Sequence, residues 1–324
     1  MSIRSFLRLS AHVQMLPVLE SGEETLVGGQ AVMEGVMMRA PHSYCVAVRK
    51  PDGEIITEEY PLPRVSEKYP AFKLPILRGL GTLGHAMWLG VKALKFSANA
   101  ALDDGKEQKP TQISSGLMAV NLTFSLLFFL FLYKFVPLLF ATYLGKVYAP
   151  LNGRLAINLM DGVIRIVIFL SFLGLLSRMK DIRRVFEYHG AEHKVVFNYE
   201  SGQPVNVENA QKFVTWHPRC GTSFLLVVMV LSMVIYAFLP FDGFALKLVG
   251  RIALLPLVVG ISYELIRFAA KRPGSLMAVL TAPGLWLQRI TTKPPADDQA
   301  AVAIRALEGA MSLEASQGGE LVIA

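Results

Sequence analysis

Cysteine is nearly missing from this chain: only Cys45 and Cys220 occur in 324 residues. Both fall in segments expected on the cytoplasmic side of a membrane, which excludes a disulfide framework. Charge is scarce too, at 18% of residues, against about 25% in soluble domains. No G-x-S-x-G occurs, and the paired Gly28-Gly29 lacks the spacing of a phosphate loop or dinucleotide fingerprint, so nucleotide binding is rejected. Internal repeats and low-complexity runs are absent. Met1 to Glu24 carries Arg4 and Arg8 but no sustained apolar core or small-residue cleavage site, and is not read as a signal peptide.

What the chain has is apolar sequence. Hydrophobic residues make up 53% and mean hydropathy is +0.43, which points to lipid. Runs at Gly116 to Phe140, about Ile157 to Leu176, Thr222 to Phe241 and about Leu248 to Ala270 approach or exceed the roughly 20 residues needed to cross a hydrocarbon core. The pattern predicts a mainly α membrane protein with about four transmembrane helices. Leu77 to Leu102 holds a shorter uncharged stretch with Leu80, Leu83, Met87, Val91, Leu94 and Ala98 at helical spacing. It is expected as an interfacial helix, or else as one packed on the spans.

Basic residues orient the chain. Thirteen precede the first span, seven lie between the second and third, and five follow Ala270. Both termini and the intervening loop are therefore expected in the cytoplasm of a multi-pass inner-membrane protein. This asymmetry explains most of the +7 formal charge, and without a nucleic-acid motif no nucleic acid is expected as a partner; the bilayer is.

The expected organisation is an N-terminal arm (1–27), a small β-containing cytoplasmic unit (28–76), an interfacial helix and linker (77–115), a membrane domain (116–270) with a His-rich loop (179–221), and a cytoplasmic tail (271–324). Tyr44 to Lys50 and Glu54 to Tyr60 flank Pro51-Asp52-Gly53 and read as a β-hairpin. The preceding Gly- and Met-rich stretch, Gly28 to Arg39, reads either as a flexible entry or as backbone packed closely on a partner segment, with Glu34 and Arg39 aimed at a site. The unit is too short to bury a core alone and is expected to pack on the His loop. Within that loop Arg183 to Val196 and Val207 to Val214 read as helices, and Asp297-Asp298 opens a final helix to about Leu307. Asp161 and Arg165 are expected to pair on the second span, and Lys134 to snorkel from the first.

The chemistry concentrates in Glu187-Tyr188-His189-Gly190-Ala191-Glu192-His193. On a helix His189 and His193 share one face at the spacing that holds a zinc ion, while Glu192 reaches a water on the metal. The plain alternative is a polar turn between membrane helices, and Gly190 weakens the helix. A third ligand is expected from His217, Cys220 or Glu264. Cys220 would start the third span, where partial positive charge and nearby Arg219 favour a thiolate, making it a ligand or a nucleophile; otherwise it is a small buried residue. Glu264, roughly 24 Å along a helix from Leu248, returns near the level of the His loop, unless it simply pairs with Arg267.

The stretches GGQAVMEGVMMR (Gly28 to Arg39), EYHGAEHK (Glu187 to Lys194), HPRCGTSF (His217 to Phe224) and PGLWLQRITTKPP (Pro283 to Pro295) together resemble the YqhQ family of bacterial membrane proteins, a family of unknown function described as metal-dependent enzymes. The resemblance covers roughly Gly28 to Leu307. It implies interest in Glu34, Arg39, His189, Glu192, His193, His217, Arg219 and Cys220. The resulting expectation is a hydrolase dependent on zinc or another divalent transition metal, with Glu192 as general base and a membrane-proximal substrate. A non-catalytic assembly or scaffold factor is the rival reading, and a transporter is third.

Overall fold

The structure is a computed structural model and describes residues 27–62, 69–102, 114–217, 220–241, 243–270 and 276–316. All of the N-terminal arm (1–27) but Val27, and Arg219, lie outside the described residues.

Strands β1 (Gly28–Val32), β2 (Gly35–Arg39), β3 (Ser43–Arg49) and β4 (Ile55–Pro61) form an antiparallel meander in chain order. The hairpin read from the sequence is β3–β4, with Arg49 opposite Ile55 and Gly53 at φ 92° in its turn. The Gly- and Met-rich stretch is not a flexible entry but a second hairpin, β1–β2, pairing Gly28 with Arg39. Its two-residue turn puts Glu34 at φ 53°, a left-handed conformation more usual for Gly or Asn. Side-chain contacts described below hold it there.

Both sheet faces are covered, which explains the nearly unbroken apolar runs of β2 and β3. Helix α1 (Leu77–Leu102) lays Leu89, Ala93 and Ala100 on Met37, Tyr44, Val46 and Val48. Met87 and Leu94, from the apolar stripe expected at the interface, stay exposed.

The apolar helices follow. Helix α2 (Ser115–Leu130), a π-helical turn (Phe131–Phe135) and α3 (Val136–Val147) form one rod, capped where the Ser114 hydroxyl accepts the Leu117 N–H at 3.1 Å. Helix α4 (Arg154–Leu176) returns beside it. The expected His-loop helices are α5 (Lys180–Glu200) and α6 (Val207–Gln211), and the third apolar run is α7 (Gly221–Ala237). The fourth run splits into α8 (Phe244–Ala253) and α9 (Leu255–Ala270), bent by 46°.

Of these, the rod Gly116–Val147 and α4 are long and apolar enough to cross a membrane, and the α8–α9 pair makes a third if counted as one span. Against the expected four, two or three candidate spans therefore stand among the described residues, by length and composition. Prolines explain the shortfall. Pro240 disfavours helix just before it, and α7 stops at 17 residues; Pro256 lacks the N–H that would carry the ladder through Leu254.

Helix α10 (Leu276–Thr291) packs Gly284 on Ser223 of α7. The final helix, α11 (Asp297–Ser316), runs beyond the expected Leu307 and belongs to the core. Val302, Ala303, Ala306, Leu307 and Ala310 join Tyr188, Ala191 and Val195 of α5 on the sheet face made by Val36, Met38, Cys45 and Ala47. Asp161 and Arg165 pair on α4 as expected. Lys134 does not snorkel: it is buried and its ammonium donates to the Tyr236 hydroxyl at 3.1 Å.

Candidate functional site

Helix α5 carries the H-x-x-E-H residues past three other segments. His189 and His193 lie one turn apart with ring centroids separated by 4.5 Å. Each ring is oriented through Nδ1, which lies 2.9 Å from the Thr291 carbonyl for His189 and 2.5 Å from the Thr215 carbonyl for His193. A carbonyl only accepts, so each Nδ1–H donates and each Nε2 keeps its lone pair. These lone pairs face Cys220, the N-cap of α7, whose Sγ lies 3.3 Å from His189 Nε2. Ligand-type atoms of His189, His193 and Cys220 all fall within 4.8 Å of one another.

Gly190 makes this possible. A Cβ there would lie 2.0 Å from the Lys293 carbonyl, so glycine, though poor for the helix, lets the end of α10 close on α5 and bring Thr291 to His189. The same segment is tied on by the Lys293 N–H, which donates to the Phe186 carbonyl at 2.9 Å.

Glu192 is buried, with one carboxylate oxygen 3.4 Å from His193 Nε2. It abuts β1, where a Cβ on Gly29 would lie 2.7 Å from the Glu192 Cγ. The expected packing of the Gly28 to Arg39 stretch on the His loop is therefore present, through backbone that only glycine permits. Glu34, in the β1–β2 turn, meets α5 nearer its start: its carboxylate accepts from Arg184 at 2.7 Å and from the Tyr188 hydroxyl at 3.3 Å. Arg39 lies on the opposite sheet face, near His85 of α1, whose pKa is lowered first by burial and then by the Arg39 charge.

His217 borders the cluster without joining it. Its ring is 5.7 Å from that of His193, and its Nε2 faces a Glu200 carboxylate oxygen at 3.5 Å. Gln288 of α10 clamps its backbone, accepting its N–H at 2.7 Å and donating to its carbonyl at 2.8 Å. Burial lowers the pKa of His193 to about 4, with the Cys220 hydrogen bond opposing. Burial likewise lowers that of His217 to about 4, against the pull of Glu192. Both rings are neutral near pH 7, the form that ligates metals.

Glu264 is placed elsewhere. Its carboxylate accepts from Arg78 Nε at 2.6 Å and from the Ile76 N–H at 3.2 Å, so it locks the start of α1 to α9 and lies outside the His and Cys set. Its ion-pair partner is Arg78, so it is neither the expected third ligand nor, as in the alternative reading, the partner of Arg267. Sequence reasoning missed Thr215, Thr291, Gln288 and Glu200. The first three act by backbone or amide groups that carry no residue signature, although Gln288 and Thr291 fall in the noted PGLWLQRITTKPP stretch.

Chemically, the set offers two imidazole nitrogens, a sulfur and an adjacent carboxylate. In a tetrahedral zinc site with Zn–N near 2.05 Å and Zn–S near 2.3 Å, ligand atoms sit about 3.3–3.6 Å apart. The Cys220 to His189 separation of 3.3 Å is about 0.3 Å under the nitrogen–sulfur value of about 3.6 Å. His189 and Cys220 are only half-buried, leaving one side of the set open.

These features define a mainly helical protein in which apolar helices meet a helix-covered sheet, with a His, His, Cys, Glu cluster at the junction. The chain belongs to the family described as "Protein of unknown function (DUF1385)", whose model matches residues 74–313. It is 37% identical over 301 residues to the uncharacterized protein YqhQ of Bacillus subtilis (strain 168), across 89% of this chain and 93% of that relative. The YqhQ-like membership expected from the motifs is thereby established. No solved structure matches.

Proposed function

We propose that this chain is a multi-pass inner-membrane hydrolase that depends on zinc or a similar divalent metal, with both termini and helix α5 in the cytoplasm. The observation that carries the reading is the convergence of two Nε2 lone pairs on one sulfur, both imidazoles being held by backbone carbonyls. Four acceptor-rich groups facing one another repel unless a proton or cation lies among them, and His193 is too buried to charge readily. His189, His193 and Cys220 would hold the ion. When bound, it would polarise a substrate carbonyl or phosphoryl oxygen and acidify water.

Glu192 would take the proton from the attacking water, its carboxylate fixed between β1 and His193. The half-buried edge at His189 and Cys220 would admit substrate. Because Cys220 opens an apolar helix, a substrate held at the headgroup level of the bilayer could reach this edge laterally.

A second reading has its own support. The cluster and its carbonyl partners come from α5, the segment before α7, the start of α7 and the end of α10, so an ion there could instead fasten these segments in a scaffold. The test is elemental analysis of detergent-purified protein, followed by turnover of bacterial-lipid vesicles. About one metal per chain, lost in His193→Ala, with products formed by wild type and not by Glu192→Gln, is the expected result. A wild-type protein prepared without chelators and holding no stoichiometric metal would overturn the metal reading. Metal without turnover of any lipid would leave the scaffold.

A further inference from the structure

Deep among the apolar helices lies a second polar cluster. Lys134 on the π-helical turn, Asp161 and Arg165 on α4, and Arg251 on α8 are all at most 5% exposed. Asp161 is shared: one carboxylate oxygen accepts from Arg251 at 2.7 Å and the other from Arg165. The remaining partners are neutral. Arg251 also donates to the Asn158 side-chain oxygen at 2.5 Å, Arg165 to the Ser232 hydroxyl at 2.7 Å, and Lys134 to the Tyr236 hydroxyl at 3.1 Å. The Tyr236 hydroxyl itself donates to the Arg251 carbonyl at 2.9 Å. All three cations crowd the Tyr236 ring, at 5.0, 5.6 and 5.4 Å from its centroid for Lys134, Arg165 and Arg251.

Among the described residues, three formal cations face one carboxylate, leaving two formal positive charges without a carboxylate partner. A tyrosine ring attracts cations but carries no net charge to cancel them. Uncompensated charge in an apolar interior is strongly disfavoured, and ionisable residues there mark ligand or ion sites. Donor accounting agrees. Among the described residues Arg165 Nε is buried without a hydrogen-bond partner, and Lys134, with three N–H donors, is seen to use one on Tyr236. The backbone adds a third sign. Pro137 has no N–H to continue the helical ladder, and Lys134 is buried within the π-helical turn Phe131–Phe135; such turns recur at functional sites.

We propose that this cluster is an oxyanion site that takes a phosphate group, supplied by an anionic phospholipid headgroup or by free phosphate. Lys134 and Arg165 Nε bind it, while Asp161, Asn158 and Ser232 hold the two guanidinium groups in place. Phosphate oxygens match converging N–H donors in charge and geometry. Ser232 and Tyr236 lie about 18–24 Å along α7 from Cys220 at 1.5 Å per residue, so this site is separate from the His and Cys cluster and stands or falls independently of it.

The test uses the full chain. Thermal unfolding is followed in nanodiscs of phosphatidylglycerol or phosphatidylcholine, and in lipid-stripped detergent with inorganic phosphate or chloride at matched ionic strength. Native mass spectrometry counts retained lipid. Wild type is expected to be more stable with phosphatidylglycerol and to keep one such lipid, and Lys134→Met to bind it about tenfold more weakly. Stabilisation by inorganic phosphate alone assigns the site to the free ion; stabilisation by phosphatidylglycerol only assigns it to a headgroup. Wild type gaining nothing from either probe overturns the proposal, and so does Lys134→Met gaining as much as wild type. Should Lys134→Met not fold, the wild-type comparison alone decides. Metal content is expected to be unchanged throughout.

Discussion

The thiol of Cys220 lies 3.3 Å from Nε2 of His189, across 31 residues of sequence. The contact joins the start of an apolar helix to the middle of the polar helix α5, and it selects the third member of the cluster. His217, though closer in sequence to His193, turns to Glu200 instead.

Substitutions in the cluster separate binding from chemistry. His189→Ala and His193→Ala each remove a nitrogen of the set and are expected to abolish stoichiometric metal. Glu192→Gln keeps the shape and is expected to retain about one ion per chain, with turnover lost, since an amide accepts no proton from water. Elemental analysis of the three purified variants checks this, and metal lost equally from Glu192→Gln would make that residue a ligand.

The two cysteines are expected to differ in reactivity. Burial, then the charge of Glu59, pushes the Cys45 thiol up to about 12; at pH 8 only on the order of one molecule in ten thousand is thiolate. Cys220 is half-buried. Alkylation of folded, chelator-treated protein should modify Cys220 alone, and added zinc should protect it. Peptide mass spectrometry reads both sites.

Gly190→Ala places a methyl group 2.0 Å from the Lys293 carbonyl. Despite a gain in helix propensity, it is expected to cost about 2–3 kcal/mol through overpacking. It should also reduce metal content by displacing Thr291 from His189. Chemical denaturation checks the first effect; unchanged stability would mean that α10 closes on α5 less tightly than described.

Glu314 on α11 ties the C-terminal helix to the sheet. Its carboxylate accepts from the His42 backbone at 2.9 Å and the Ser43 hydroxyl at 2.8 Å. Burial raises its pKa, but these bonds and the His42 ring outweigh that and lower it below 4.5. A depressed carboxylate pKa contributes stability above the unfolded value that is lost as pH falls through the folded one. Glu314→Gln is expected to cost about 1–2 kcal/mol at pH 7 and to flatten the loss of stability below pH 4.5. Unfolding measured from pH 3 to 7 tests both.

The proposed orientation predicts that a cysteine introduced at Gln203 is labelled from the cytoplasmic side alone. Efficient labelling from the opposite side would reverse the topology. Position 203 suits the test because it is exposed, in the turn after α5.

Local features were legible in advance. His189 and His193 share a face because residues four apart on any α-helix do, and the β3–β4 hairpin follows from alternation around Asp52-Gly53. The β1–β2 hairpin was not legible. Its Met33-Glu34 turn lacks the residues that favour positive φ, and Arg184 and Tyr188, about 150 residues away, hold it. The apolar runs overstated the spans because hydropathy averages across Pro240 and Pro256, whereas backbone hydrogen bonding stops at them.

The sequence by itself determined the apolar and polar segments, the face shared by the two histidines and the motifs that place the chain in its family. All are set by neighbours within a few turns. Only tertiary structure decided that Cys220 rather than Glu264 meets the histidines, that carbonyls of Thr215 and Thr291 orient the rings, and that α11 completes the sheet's core. Those outcomes depend on which surfaces come within a few ångströms after folding, and backbone carbonyls are the same at every residue.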